Sequence, residues 1–584
     1  MTASTGRSIA LGAAILVLAA TAGYVLTSQP MMVERVSAAA AGSVVQSTPQ
    51  KPQGLAAAFL AGRHAQATSD SSSAVTFYDQ ALAFDPQNLS ILTNGYFVAV
   101  QVGDFDTALA MAKKAYDLDN RAGMAPVLLA AQAFKAKSYD QAWGYLSKIP
   151  QQSMNGFAMP LLKAWAQAPT QPQDKAEAEL AALKNFQDMN EMVEVTQALL
   201  AESYGNTEAA LGHYDNLAKR IEEQRTSIIR LVSDGYRRLG KADKAKAALE
   251  QYLKVRGRSP SIEAYLESTS PPKKLTPQLG MAEAFYSAAE MLLLNDANDF
   301  RAQVATAYAQ MALYLEPDFS MAQRFVGTAL AARNHFEESN AVLGGIKKSA
   351  PDWLESQVLI AENYARQKRT NEAVDILRAV AKDGGGKDKA GWPDVYVAIG
   401  DLLRGEKRYG EAVSAYDSAI KASPADKPNT WALYYSRGIS YERDKKWDLA
   451  EKDFRKALEL KPDEPNVLNY LGYSYLDRGE KLPEARKLIE AAYAKRPDAA
   501  EIMDSLGWVL FAVGEYDKAV QQLEKAVEGA PGDGTINEHL GDAYWRVGRK
   551  SEARFQWQRA LSLDIEDSQR AALQGKLTRG LPPK

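Results

Sequence analysis

Three stretches between Pro465 and Ile565 constrain this chain more than anything else in it: "LNYLGYSYLDRG", "MDSLGWVLFAVG" and "NEHLGDAYWRVG". Their glycines, Gly472, Gly507 and Gly541, stand 35 and 34 residues apart. Each stretch is followed by an alanine and, four positions later, a large residue: Ala485 and Ile489, Ala519 and Leu523, Ala553 and Trp557. Pro497 and Pro531 close the first two units. A period near 34 with this pattern is a helix–turn–helix unit. Glycine in the middle of the first helix lets the second come close. The large residue, one turn beyond the alanine on the same face, fills the seam. Proline lacks the amide hydrogen a continuing helix needs, so it ends the second helix. One such hairpin cannot bury its apolar face alone, so neighbours must stack.

The same pattern runs through most of the chain. Ala74, Tyr78, Ala81 and Pro86 match it, as do Ala108, Ala112 and Ala115 with Gly103 at the turn, and then Ala142 and Leu146. It blurs from Gly156 to about Asn190 and returns with Tyr236, Gly240 and Ala245, giving five or six units before residue 259. "ESTSPPKKLTPQLG" then places Pro271, Pro272 and Pro277 where no helix can continue. It reads as a linker between two halves or as an ordered loop inside one superhelix. Beyond it, Gly327, Ala373, Gly400 and Gly438 mark further units, each with its partners one helix later, for about eight repeats in this half. The expected organisation is a targeting segment at 1–26, a flexible Ala/Ser/Pro linker at 27–54, a degenerate array at 55–258, a Pro-rich joint at 259–280, a regular array at 281–567, and a capping helix and tail at 568–584.

The first 26 residues carry one cation, Arg7, ahead of the mostly apolar run from Ile9 to Leu26. Its 18 residues reach about 27 Å as a helix, close to the roughly 30 Å of a bilayer core. Ala20-Thr21-Ala22 offers a peptidase site. The run therefore serves as a signal peptide cut near Ala22 or as an inner-membrane anchor, and Arg7 places the body in the periplasm.

Chemistry is sparse. There is no cysteine, which excludes thiolate catalysis and disulfides. Lys+Arg is 69 against Asp+Glu 72, a net charge of −3, with no basic excess to attract nucleic acid. The four histidines, His64, His213, His335 and His539, show no spacing to a second ligand or base that makes a metal or catalytic site. Gly384-Gly385-Gly386-Lys387 lacks the Ser/Thr of a phosphate loop, since Asp388 follows, and no strand precedes it. No cofactor, metal or catalytic residue is expected, and the protein does not read as an enzyme.

The repeats resemble the tetratricopeptide repeat, and "INEHLGDAYWRVGRKSEARFQWQRAL" is similar to a widespread group of bacterial repeat proteins. The resemblance implies an all-α, right-handed superhelical solenoid. It also implies a concave groove lined by the second, fifth, ninth and twelfth or thirteenth residues of each first helix. Those positions fall on Tyr435 and Glu442; Asn466, Asn469, Tyr473 and Asp477; Asp504, Trp508 and Phe511; and Glu538, Asp542, Trp545 and Arg546. Aromatics among amides and carboxylates suit a peptide groove. The acids repel a partner's terminal carboxylate and favour a basic or amide-rich segment, extended or helical. Should Trp508 belong to the inter-repeat core instead, the divergent repeats before residue 259 are the next place for a groove. The functional expectation is a non-catalytic protein–protein scaffold or assembly factor of a bacterial cell envelope. The alternatives are a docking or regulatory subunit of an envelope enzyme such as a polysaccharide synthase, and a periplasmic holdase.

Overall fold

The computed structural model describes residues 54–583, apart from 69, 151–152, 154, 184–188, 221–223, 258, 269–270, 295–297, 384–391, 424–429 and 566. The expected targeting segment, the linker up to residue 53 and the Gly384–Lys387 loop lie outside the described residues. The described residues form α-helices and one short 3-10 helix, with no strand. None of these helices is long and apolar enough to cross a membrane.

The hairpins arise from a few recurring devices. Asn or Asp stands before several first turns and takes a free amide: Asn88 Oδ1 accepts from Ile91 N (3.2 Å), and Asp533 Oδ1 from Thr535 N (2.8 Å) and Ile536 N (3.1 Å). The two helices of a unit are joined by a tight turn whose backbone enters the left-handed region, at Gly514 (φ 85°) and Gly548 (φ 87°) as at Gly103 (φ 80°). Glycine reaches that region at no steric cost. In the middle of the first helix, a Cβ on Gly472 would stand 2.8 Å from Ile489 Cγ1, on Gly507 2.5 Å from Leu523 Cγ, and on Gly541 2.5 Å from Trp557 Cδ1. The expected pairing of glycine with the later large residue is therefore the contact at the helix crossing.

The chain divides into two compact units, the first ending at Ala398 and the second beginning at Ile399. In the first unit the stretch expected as a joint carries a short helix, Pro260–Glu267. The chain after its prolines turns back into the array it has just left. Helix Asp299–Leu315 packs on Leu89–Gln101 and Ala125–Lys135, and helix Pro277–Leu294 on Met159–Gln167 and Asn190–Ser203. Tyr314 stacks on Phe105 (4.4 Å between centroids), the Tyr308 hydroxyl donates to Asn155 Oδ1 (3.2 Å), and Gln310 Nε2 donates to the Gln101 carbonyl (2.9 Å). The returning hairpin is covered on most sides, with Glu283 and Glu290 paired to Arg230 and Arg225. Met281, Phe285, Tyr308 and Met311 are all fully buried, and a helix of that kind needs cover all round. The inner face of the first array is thus filled by the chain itself, which removes it as an alternative groove.

Candidate functional site

The inner face of the second unit is built by the first helices of successive hairpins, Thr430–Arg443, Pro465–Asp477, Ala500–Ala512 and Gly534–Arg546. On one helix, residues four apart share a face; a spacing near 34 repeats that face on the next unit. This brings Tyr473, Asp477, Asp504 and Glu538 together from three helices. Burial pushes the Tyr473 hydroxyl well up, and the carboxylates of Asp504, Asp477 and Glu538 push it further. Tyr473 is half-buried and Asp477 exposed.

The face is more self-satisfied than the sequence suggested. Asp504 is buried, and its two oxygens lie 2.9 and 3.0 Å from His539 Nδ1. Burial disfavours the charged imidazole, but the Asp504 carboxylate, with Asp542 and Glu538 nearby, outweighs it and raises the His539 pKa. Trp508 lies nearly parallel to His539 (4.0 Å, 11°) and to Phe511 (4.6 Å, 8°). Those two rings can only occupy opposite faces of the indole, so Trp508 is sandwiched and offers a partner its edge. Phe511 also meets Tyr516 edge-on (5.3 Å).

The other candidates divide between core and rim. Tyr435 is buried against Phe454 and Tyr470, and so wedges the hairpin core. Glu442 accepts from the Tyr470 hydroxyl (3.1 Å). Asn466 donates to Glu464 (3.1 Å) and accepts from Arg496 (3.0 Å). Asn469 Oδ1 is buried and has no hydrogen-bond partner among the described residues. Glu538 accepts from Gln569 Nε2 (2.7 Å) and Lys576 Nζ (2.6 Å). Asp542 accepts from Lys576 Nζ (2.6 Å) and from the Trp557 indole N–H (2.8 Å). Its burial still holds its pKa above the usual carboxylate range, against the pull of Lys576. Trp545 packs near Trp557 (5.3 Å) under Lys550 (3.8 Å), and Arg546 Nη1 donates to the Pro582 carbonyl (2.8 Å).

Sequence reasoning missed His539 and Lys576. The signal for His539 was its place 35 residues after Asp504, one repeat on, a spacing between units and not within one. Lys576 comes from the last helix, Asp567–Arg579, which has no repeat register to place it.

In the first unit a cavity of about 260 Å³ is lined by Arg230, Asp234, Arg237, Arg238, Tyr265 and Glu283 among others. Its charges are largely paired within the fold: Arg230 with Glu283 (3.0 Å) and Arg238 with Glu202 (2.5 Å). Among the described residues no group of three His, Cys, Asp or Glu is placed to hold a metal.

The family model described as tetratricopeptide repeat matches residues 397–465, 470–534 and 505–572. A TPR repeat-containing protein of Pseudomonas aeruginosa is 30% identical over 197 residues, which is 33% of this chain and 31% of that protein. Human tetratricopeptide repeat protein 13 is 30% identical over 115 residues, 20% of this chain and 13% of that protein. The chain therefore spans less than a third of either relative. A chain of the APC/C hetero-tetramer Cut9–Hcn1 covers 90% of this chain and 96% of itself, at 16% identity and a TM-score of 0.36. Repeats of this type indicate a protein–protein interaction scaffold.

Proposed function

We propose that this chain, a tetratricopeptide-repeat protein, is a non-catalytic scaffold or assembly factor of a bacterial cell envelope. It holds an extended segment of a partner against the inner face formed by residues 465–546. The observation that carries the reading is the patch in which Tyr473, half-buried, is surrounded by the carboxylates of Asp477, Asp504 and Glu538. A half-buried aromatic beside the exposed Asp477 takes an apolar side chain and a neighbouring cation or amide. The envelope assignment rests on the apolar run Ile9–Leu26 behind Arg7.

The test is capture of partners from an envelope extract by the full chain and by its Tyr473→Ala/Asp477→Lys variant. Truncating a central aromatic commonly costs about 2 kcal/mol, roughly thirtyfold in affinity. The reading expects one stable partner whose capture falls by at least that factor in the variant. Capture of many unfolded clients by both proteins points instead to a holdase, and undiminished capture of a single partner by the variant removes this face as the site.

A further inference from the structure

The cavity of the first unit takes its wall from helices Thr226–Arg238, Pro260–Glu267 and Pro277–Leu294 and from the turns before and after Ser320–Ala332. At about 260 Å³ it is slightly smaller than the roughly 300–1,000 Å³ of small-molecule clefts. That is room for one ring-sized molecule and not for a stretch of folded chain. Lys273 and Lys347 are exposed and mark its mouth.

Its charges balance. Arg230, Arg237, Arg238, Lys273 and Lys347 line it, and each has a carboxylate to answer it in the wall or behind it. Arg230 pairs with Glu283 (3.0 Å), Arg238 with Glu202 (2.5 Å), Lys273 with Glu316 (3.1 Å) and Lys347 with Asp318. Arg237 donates to the Ser268 carbonyl (3.3 Å) and does not close on Asp234. Asp234 is therefore a lining carboxylate that no ion pair or hydrogen-bond donor meets among the described residues. Burial raises its pKa, although Arg230, Arg238 and Arg237 pull the other way. Buried polar groups are normally hydrogen-bonded, so an unmet one needs a reason. Arg230, one turn earlier on the same helix face, is buried as well. Its Nη2 is committed to Glu283, and its Nε has no acceptor. The wall thus sets an unmet acceptor beside an unmet donor.

Charge selects the class of ligand. A cation would meet three guanidiniums, and an anion would meet Asp234 and Glu283. A neutral molecule with donors and acceptors on neighbouring atoms avoids both penalties. A carboxylate takes two O–H donors at once, one on each oxygen, and a guanidinium N–H gives to a hydroxyl oxygen. Adjacent hydroxyls of a sugar do both, whereas a carboxamide brings a single NH2 to the acid. Tyr265, Leu279 and Phe319 give the wall apolar surface for the C–H face of such a ring.

We propose that this cavity is a site for one neutral sugar unit, with Asp234 accepting from two adjacent hydroxyls, Arg230 donating to a hydroxyl oxygen, and Tyr265 backing the ring. The site does not rest on the partner face proposed for the second unit, and its failure leaves that reading standing.

The test is saturation-transfer NMR on the full chain with glucose, galactose, mannose and N-acetylglucosamine as probes, each compared with Asp234→Asn. That exchange keeps the side chain's shape and breaks no bond of the fold, so the variant should melt no lower than the native chain. The expected result is transfer to at least one of these sugars, with affinity at least tenfold weaker in Asp234→Asn, since a hydrogen bond to a charged acceptor is lost. Should the variant melt lower, the native chain alone decides, because a bound sugar should slow amide exchange in 226–238 and 260–267. Absence of transfer to every probe, transfer that a stable Asp234→Asn leaves unchanged, or transfer without slower exchange in those helices overturns the inference. So does binding of acetylated asparagine amide or inorganic phosphate in place of the sugars.

Discussion

Replacing Gly507 by alanine separates two physical effects of opposite sign. On an exposed helix the exchange stabilises by about 1 kcal/mol, because alanine loses less backbone freedom on folding. At this position the new methyl would stand 2.5 Å from Cγ and 2.8 Å from Cδ2 of Leu523, which is itself fully buried and has no room to swing away. Overpacking of this kind costs about 1–3 kcal/mol. The net expectation is destabilisation of up to about 2 kcal/mol, where propensity alone predicts a gain. Leu523→Ala by itself should cost about 2–5 kcal/mol through the cavity it leaves. In the double variant the added methyl enters that cavity, so the pair should be less damaging than the sum by about 1 kcal/mol or more. The assay is urea unfolding followed by circular dichroism, with amide exchange over residues 500–529 to localise the loss, since each repeat contacts chiefly its neighbours. Stabilisation by Gly507→Ala, or strict additivity with Leu523→Ala, would refute the close crossing.

Three further expectations follow from particular contacts. Because His539 has a raised pKa in the fold, its contribution is fully present below its unfolded value, about 6.5, and is lost as pH rises through its folded value; amide exchange in 500–546 should therefore gain more protection toward pH 6 in the native chain than in His539→Gln. Tyr308→Ala, at a fully buried site inside the first array, should cost about 3–5 kcal/mol and expose 299–315 to protease, whereas Tyr308→Phe should cost only about 1 kcal/mol for the bond to Asn155. A reporter that works only in the periplasm, fused after Lys584, should be active, and activity of a cytoplasm-only reporter there would overturn the envelope assignment.

The repeat grammar was legible because it records contacts between near neighbours in sequence. Gly507 and Leu523, or Gly541 and Trp557, are sixteen residues apart and meet wherever the unit folds. Contacts that cross repeats are written less openly. The returning hairpin 277–315 was countable as another repeat, yet its long apolar runs, from Met281 and Phe285 to Tyr308 and Met311, already required cover that neighbouring repeats on one side do not provide. The expected groove positions lie on the first helices, while their partners were not foreseeable from spacing within a unit. Asp504 meets His539 one repeat on, and Glu538 and Asp542 meet a lysine from the non-repeating end. Tyr435 shows the opposite limit: the register that places it on a first helix does not tell that its ring turns into the hairpin core.

The central claim, that partners bind the concave face of the last repeats, is tested most directly by a photo-crosslinking residue placed at Tyr473 in the full chain in cells, compared with one at Glu490 on the second helix of the same hairpin. The account predicts that the Tyr473 position captures one partner and that the Glu490 position does not. Equal capture from both positions, or capture from Glu490 alone, would contradict it.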